Sequence, residues 1–199
     1  MHPNRAFRSE DRDRLTRLIR DTGFGMVFHT TPDGPRVAHV PVLLHGEDEI
    51  RFHLARTNAL TAHLDGARAL ITLNGPDAYV SPRWYNNRDT VPTWDYVALE
   101  LEGAVRVLSD DELETLLNDV IETFEGRLDG EPWRAAESSP KVWSGLFRGI
   151  TGFAMRVEDW RPTLKLSQKK SPPERERIAA GVEAAGKRDL ARWMRETAS

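Results

Sequence analysis

A group of side chains suited to a phosphate follows one apolar segment of the sequence. IRFHLA, residues 50–55, predicts a β-strand, and Arg56, Thr57 and Asn58 come directly after it. A guanidinium, a hydroxyl and the unpaired backbone N–H groups of a helix starting near Asn58 would together bind a phosphate. An ordinary surface arginine followed by a helix-capping asparagine gives the same sequence. Spacing alone therefore leaves both interpretations open.

A second group combines aromatic rings with hydrogen-bonding side chains. The segment AYVSPRWYNNRDTVPTWDY places Trp84, Thr93 and Trp94 among serine, arginine and asparagine residues. Flat aromatic walls with polar rims suit a planar heteroaromatic ligand. A tryptophan-rich subunit interface would have the same composition, because Trp and Tyr are favoured at buried protein contacts. The two interpretations are compatible with each other.

A third group, KLSQKK, carries polar side chains in a stretch that proline residues keep non-helical. Lys165 and Lys169 could neutralise a phosphate, and Gln168 could present its amide to the edge of a ring. A solvated linker would look much the same, so this motif decides nothing alone.

Several kinds of site are not supported by the sequence. The six histidines lack the spacing of a helical metal motif, and the chain contains no cysteine, so no metal site is predicted. Neither a Gly-x-Ser-x-Gly frame nor a Gly-rich nucleotide loop is present. The sequence nominates no catalytic acid, base or nucleophile.

Composition describes a soluble globular protein, with 30% charged and 39% hydrophobic residues among 199. The net charge of −3 offers no basic field for nucleic acid, although residues 165–199 hold nine Lys or Arg against five Asp or Glu. The N-terminus lacks the apolar segment of a secretory signal, and no apolar run approaches the roughly 20 residues that span a bilayer. A cytoplasmic location is expected.

Hydrophobic periodicity predicts strands separated by short turns and one interposed helix. A first helix capped by Ser9 ends at Gly23, and a helix within 109–126 begins after Ser109 or Asp110. The predicted strands are FGMVFHT and RVAHVPVLLHG around a TPDGP turn, DEIRFHLAR, RALITLNG and AYVSPRWY broken at Gly75-Pro76, DYVALELEGAVRVL as the longest, and ITGFAMRVEDW. This pattern favours a mainly β fold with peripheral helices, a closed or partly closed β-barrel.

Six of these segments, taken in order, resemble one protein family. They are HVPVLL, FHLARTN, GPDAYVSPRWY, VPTWDYVALELEG, ITGFAMRVEDW and KLSQKK. In this order they resemble the PaiB-type proteins, which are described as FMN-binding negative transcriptional regulators, and the resemblance extends over about residues 1–185. The family commonly continues KLSQ with Asn-Arg, whereas this chain has Lys169 and Lys170.

The resemblance implies a split β-barrel of the FMN-binding type, a homodimer, and FMN bound at the subunit interface. It divides the chain into a barrel domain at 1–164 and a basic linker with a helical tail at 165–199, packed on the barrel or on the partner. The resemblance implies that Arg56, Thr57 and Asn58 bind the FMN phosphate and that Lys165 or Lys169 is a second cation. The residues implied near the ring are His53, Trp84, Thr93, Trp94, Ser167 and Gln168.

Three functions remain open from the sequence. The first is an FMN-binding regulator, the second is a flavin-dependent oxidoreductase such as an NAD(P)H:flavin reductase or oxidase, and the third is a dimeric interaction protein without flavin. Direct DNA binding would need an element that recognises DNA bases, and the C-terminal tail superficially resembles a helix-turn-helix. A packed amphipathic tail, with Ile178, Val182, Leu190 and Trp193 directed inward, is the favoured interpretation.

Overall fold

Seven antiparallel strands form the sheet that carries the candidate residues. The computed structural model describes residues 2–197. Its strand order is β2-β1-β5-β6-β7-β4-β3, with β1 Phe24–Thr31, β2 Gly34–Pro41, β3 Leu43–His45, β4 Glu49–Ala55, β5 Arg68–Val80, β6 Thr93–Val107 and β7 Ile150–Lys165. The predicted mainly β fold with peripheral helices is confirmed.

Five α-helices accompany the sheet in the described residues. They are α1 Arg12–Thr22, α2 Asp110–Glu125, α3 Pro140–Phe147, α4 Pro172–Ala184 and α5 Arg188–Glu196. Helix α2 begins as predicted, because the Ser109 side chain accepts from the Glu112 N–H while the Glu112 side chain accepts from the Ser109 N–H. Helix α1 differs at its start: Asp11 Oδ1 accepts from the Arg14 N–H at 3.0 Å, so Asp11 is the capping residue and Ser9 is not.

The chain divides into two compact units. The first unit comprises 2–15, 73–100 and 161–197, and the second comprises 16–72 and 101–160. In the second unit, β4 buries Ile50, Phe52 and Leu54 on one face, and Phe52 stacks on Phe153 of the paired strand β7 with ring centroids 5.5 Å apart. In the first unit, α4 and α5 pack through fully or almost fully buried residues, which include Ile178, Val182, Leu190 and Trp193. These four residues are directed inward, as the sequence predicted, and Gly186, at φ +84°, separates the two helices as expected.

Four strand and helix predictions are wrong. The segment RVAHVPVLLHG, predicted as one strand, forms β2 and β3, which pair with β1 and β4 respectively. The predicted break at Gly75-Pro76 does not exist, because β5 runs through both residues. In the β1–β5 ladder Met26, Val27 and Phe28 pair with Thr72, Ile71 and Leu70, and Pro76 lies four residues beyond Thr72. The longest strand is β7 with 16 residues, one more than β6. The helix expected near Asn58 is a 3-10 turn of three residues, Thr61–His63.

Candidate functional site

The end of β4 presents polar groups that the chain itself leaves without partners. Arg56 and Thr57 are exposed, and neither side chain makes a hydrogen bond or ion pair within residues 2–197. The backbone of Arg56 is nevertheless fixed, since its N–H donates to the Gly149 carbonyl at 2.9 Å beside the β4–β7 ladder. A guanidinium and a hydroxyl held on an ordered backbone are donors suited to a phosphate dianion.

Asn58 has a structural role in the same turn. Its side-chain oxygen accepts from the Leu60 N–H at 2.9 Å, and its own N–H donates to the Ala55 carbonyl at 2.9 Å. Because the following 3-10 turn has only three residues, it supplies no helix N-terminus for a phosphate. That part of the sequence-based interpretation is wrong, and the donors at this end of β4 are the side chains of Arg56 and Thr57.

His53 lies three residues before Arg56, opposite Gly152 in the β4–β7 register. Its Nδ1 is buried and has no hydrogen-bond partner within the described chain. Burial lowers the pKa of the imidazole, so the ring is neutral at neutral pH. A buried ring nitrogen without a partner is uncommon in folded proteins and is a candidate for ligand contact. With Arg56 and Thr57, this donor set fits a phosphorylated flavin.

Arg148 is a candidate that the sequence analysis missed. It caps the end of α3, it is exposed, and its side chain has no partner within residues 2–197. The next residue, Gly149, is the one whose carbonyl accepts from Arg56. The sequence separation of 92 residues hides this proximity, which follows only from the pairing of β4 with β7.

The first unit holds most of the other predicted residues, and it brings Thr93, Trp94 and Lys165 together. Lys165 Nζ donates to the Thr93 hydroxyl and, at 2.7 Å, to the Trp94 carbonyl. Next to them, the Asp95 carboxylate is 1% exposed and accepts from the Ser167 hydroxyl at 2.5 Å. Burial raises the pKa of Asp95, while the Ser167 hydrogen bond and the Lys165 charge oppose that rise. Asp95 was also missed, although strand alternation places it on the buried face with Val97.

The KLSQ turn uses its own polar groups internally. Ser167 has a φ of +57°, the one non-glycine residue with positive φ in the described chain. Gln168 Oε1 accepts from the Leu166 N–H at 2.8 Å, and its Nε2 donates to the Leu164 carbonyl. Lys169 is exposed, with Nζ 5.9 Å from the centroid of the Phe7 ring. The turn is therefore ordered by hydrogen bonds and is not a solvated linker. We call Asp95, Lys165, Ser167 and Gln168, with their hydrogen bonds, the clamp.

The two tryptophans of the aromatic segment have different surroundings. Trp84 packs on α4 so closely that a Cβ at Gly181 would lie 2.3 Å from its ring. Its loop is tied to the same helix, since the backbone N–H and side-chain amide of Asn86 donate to Glu174 at 2.9 and 3.2 Å. Trp94 is 52% exposed, and its indole N–H donates to Asp77 at 3.0 Å. Trp94 is the better candidate for stacking on a ring.

Other kinds of site are not visible within residues 2–197. No group of three His, Cys, Asp or Glu residues is arranged to hold a metal ion there. The helices of that part of the chain are all too short or too polar to cross a membrane.

Comparison with known proteins gives the family. Residues 1–159 match the family model described as "Putative FMN-binding domain". The chain belongs to this FMN-binding family. It is 30% identical over 175 residues to the protease synthase and sporulation protein PAI 2 of Bacillus subtilis, covering 86% of this chain and 84% of the relative. The resemblance to PaiB-type proteins is thereby confirmed, and FMN is the cofactor that this family membership assigns.

Solved structures agree on the fold. The FAD and heme binding protein from Mycobacterium smegmatis superposes with a TM-score of 0.64 at 22% identity, covering 87% of this chain and 79% of that one. The flavocytochrome Anf3 from Azotobacter vinelandii gives a TM-score of 0.57 at 16% identity, covering 82% and 72%. At such identities the likeness concerns the fold alone, and the predicted split β-barrel is confirmed.

Proposed function

We propose that this chain is an FMN-binding homodimeric regulator that holds the flavin phosphate at the end of β4. Arg56 and Thr57 bind the phosphate, Arg148 adds a second cation, and Nδ1 of His53 meets a polar group of the cofactor. The single observation that carries this proposal is the set of side chains at that strand end that have no partner within residues 2–197. When bound, FMN supplies one- and two-electron redox chemistry, and the protein orients the cofactor and tunes its environment.

Trp94 is our candidate for contact with the flavin ring, and the KLSQ turn has a supporting role. Half of the Trp94 side chain is exposed, and its backbone carbonyl is held by Lys165. Lys165, Ser167 and Gln168 are committed to contacts within the first unit, so we assign them to positioning and not to direct phosphate binding. Lys169, whose one contact in the described residues is with the Phe7 ring, stays a candidate for a further cation beside Arg148.

An exposed apolar face of the sheet in the second unit supports the homodimer. Phe28 and Val37 lie opposite each other in the β1–β2 register and are 36% and 45% exposed. Phe24, two positions from Met26 on the same face of β1, is 52% exposed. Large apolar side chains clustered on a sheet face mark protein contacts. We therefore place the second copy of the chain on this face.

The dimer is tested by sedimentation velocity. Phe28→Asp puts a charge in the proposed seam, and we expect it to convert a dimer to a monomer at micromolar concentration. Leu128→Asp removes a comparably apolar side chain that is 65% exposed in a loop, and should leave the dimer intact. A monomeric wild type, or a Phe28→Asp variant that stays dimeric, contradicts this face.

The regulatory role draws on the name of the B. subtilis relative, which refers to protease synthesis and sporulation. The helical tail gives little support to direct DNA reading. In α5, Arg192 pairs with Asp189 at 3.3 Å, and Arg195 pairs with Glu176 and Glu183 at 3.0 and 2.8 Å. Cations already paired with carboxylates contribute weakly to phosphate contacts. We propose that regulation passes through flavin binding or through a partner protein.

The proposed cofactor role is tested by titrating the purified protein with FMN and with riboflavin, following flavin fluorescence. We expect saturable FMN binding and at least tenfold weaker riboflavin binding, about 1.4 kcal/mol, because riboflavin lacks the phosphate. Equal affinities would contradict a phosphate site. Rapid bleaching of bound FMN by NAD(P)H would favour the oxidoreductase alternative, and salt-sensitive retention on DNA would restore the direct repressor.

A further inference from the structure

A cavity of about 320 Å³ lies in the second unit, between α1, the edge strand β3 and α2. Its apolar lining includes Ile19, Val42 and Leu116, each at most 1% exposed. This volume is at the lower end of the range for small-molecule sites in proteins. None of the residues proposed to hold the flavin lines it, although His53 is two residues along β4 from Arg51, which does line it, a rise of about 7 Å.

Arg51 gives this cavity an unusual polar group. The residue is 8% exposed, and its Nε donates to Glu49 at 2.6 Å. The two terminal nitrogens make no hydrogen bond within residues 2–197. One of them forms an ion pair with a Glu112 carboxylate oxygen at 3.9 Å, beyond hydrogen-bond distance. Both oxygens of Glu112 already accept from Arg106, at 2.9 and 2.7 Å. A guanidinium that is more than nine-tenths buried therefore has its planar fork of donors available to a ligand.

The rest of the polar lining carries both signs of charge. Arg20 and His45 are basic, Asp119 and Glu122 are acidic, and none of these four side chains makes a hydrogen bond or ion pair in the described part of the chain. A simple carboxylate would meet the guanidinium but would be repelled by the acidic pair. A ligand that carries an ammonium group as well would complement both.

We propose that this cavity binds a small zwitterion, an aliphatic α-amino acid. Its carboxylate accepts from the fork of Arg51, in the two-point geometry that arginine offers to carboxylates. Its ammonium group lies toward Asp119 and Glu122, and its aliphatic side chain covers Ile19, Val42 and Leu116. The site does not depend on FMN, so the two proposals succeed or fail separately.

The proposal is tested with three probes that share one aliphatic chain. L-norleucine carries both charges, hexanoate carries only the carboxylate and hexylamine only the ammonium. Calorimetric titration should show saturable binding of L-norleucine and at least fivefold weaker binding of hexanoate and hexylamine. Saturation by none of the three below about 20 mM overturns the proposal, because that concentration corresponds to only about 2.3 kcal/mol of binding free energy. Equal affinities for L-norleucine and hexanoate overturn the zwitterion assignment.

Variants locate the binding. Arg51→Lys keeps the charge but removes the planar fork, and should weaken L-norleucine at least about tenfold. Thr123→Trp fills the cavity from α2 without touching the Arg51–Glu49 pair and should abolish binding, which keeps the test decisive should Arg51→Lys fold poorly. Thr115→Trp, at an exposed position of the same helix, is the matched control and should bind normally. Unchanged binding in Thr123→Trp overturns the site.

Discussion

The end of β4 and the KLSQ turn are both rich in polar side chains, yet they use them in opposite ways. At the end of β4, Arg56 and Thr57 are exposed and lack partners in the described chain. In the KLSQ turn, Lys165, Ser167 and Gln168 are all hydrogen-bonded to their own unit. The first arrangement leaves donors available to a ligand, and the second uses them to stabilise the fold. Similar residue types in sequence can therefore have different roles.

Removing the carboxylate at the centre of the clamp should have the largest effect on stability. Asp95→Ala leaves the Ser167 hydroxyl without its acceptor and the Lys165 ammonium without its nearby counter-charge. Breaking a buried charged pair on one side costs about 3 kcal/mol or more. We expect the free energy of unfolding in urea to fall by about that amount. A loss under about 1 kcal/mol, the scale of an ordinary hydrogen bond, would mean that Asp95 is not the centre of the clamp.

Two substitutions at Ser167, which has a positive φ, distinguish the energy of backbone strain from that of its hydrogen bond to Asp95. Ser167→Ala loses the bond to Asp95 and keeps the strained backbone, whereas Ser167→Gly loses the same bond and relieves the strain. Glycine should therefore be more stable than alanine here by about 1 kcal/mol. Chemical denaturation of the pair measures the difference. An alanine variant as stable as the glycine variant would contradict a strained turn.

The partly exposed ion pair between Glu112 and Arg106 gives a smaller, pH-dependent effect on stability. Hydrogen bonds from Arg106 and from the Ser109 N–H lower its pKa to about 2. Because the folded pKa lies below the unfolded one, this pairing stabilises the protein above pH 4.5 and is lost as the pH falls from 4.5 toward 2. Glu112→Gln should reduce the change in the free energy of unfolding between pH 4.5 and pH 2 by less than about 1 kcal/mol, because solvent screens exposed ion pairs. Thermal denaturation at pH 3 and pH 6 compares the two proteins, and identical pH profiles would contradict the pairing.

Much of the fold followed from periodicity and turn residues. The β1–β2 hairpin, the capped helix α2 and the buried alternation of Val97, Leu99 and Leu101 are local patterns, which a sequence shows directly. The failures involve tertiary context. Gly75-Pro76 indicated a break, but β5 continues through both residues.

The candidate site divides in the same way. Arg56 and Thr57 could be nominated from the sequence because they follow a recognisable strand. Arg148 was not, since its nearness to Arg56 depends on the pairing of β4 with β7. Whether a polar side chain has a partner depends on residues far away in sequence, as for Ser167 and Asp95, 72 positions apart. Which polar side chains have internal partners was therefore visible only in the structure.

The most direct test of this distinction is a paired measurement of FMN affinity and stability in Arg56→Ala and Lys165→Ala. Arg56→Ala should weaken FMN binding by about 1.5–3 kcal/mol, the range for hydrogen bonds to charged groups, and leave the free energy of unfolding of the flavin-free protein within about 0.5 kcal/mol. Lys165→Ala should lower stability more and FMN affinity less, and Arg36→Ala serves as the exposed-arginine control. An unchanged FMN titration for Arg56→Ala, with Lys165→Ala losing the cofactor, would contradict the account.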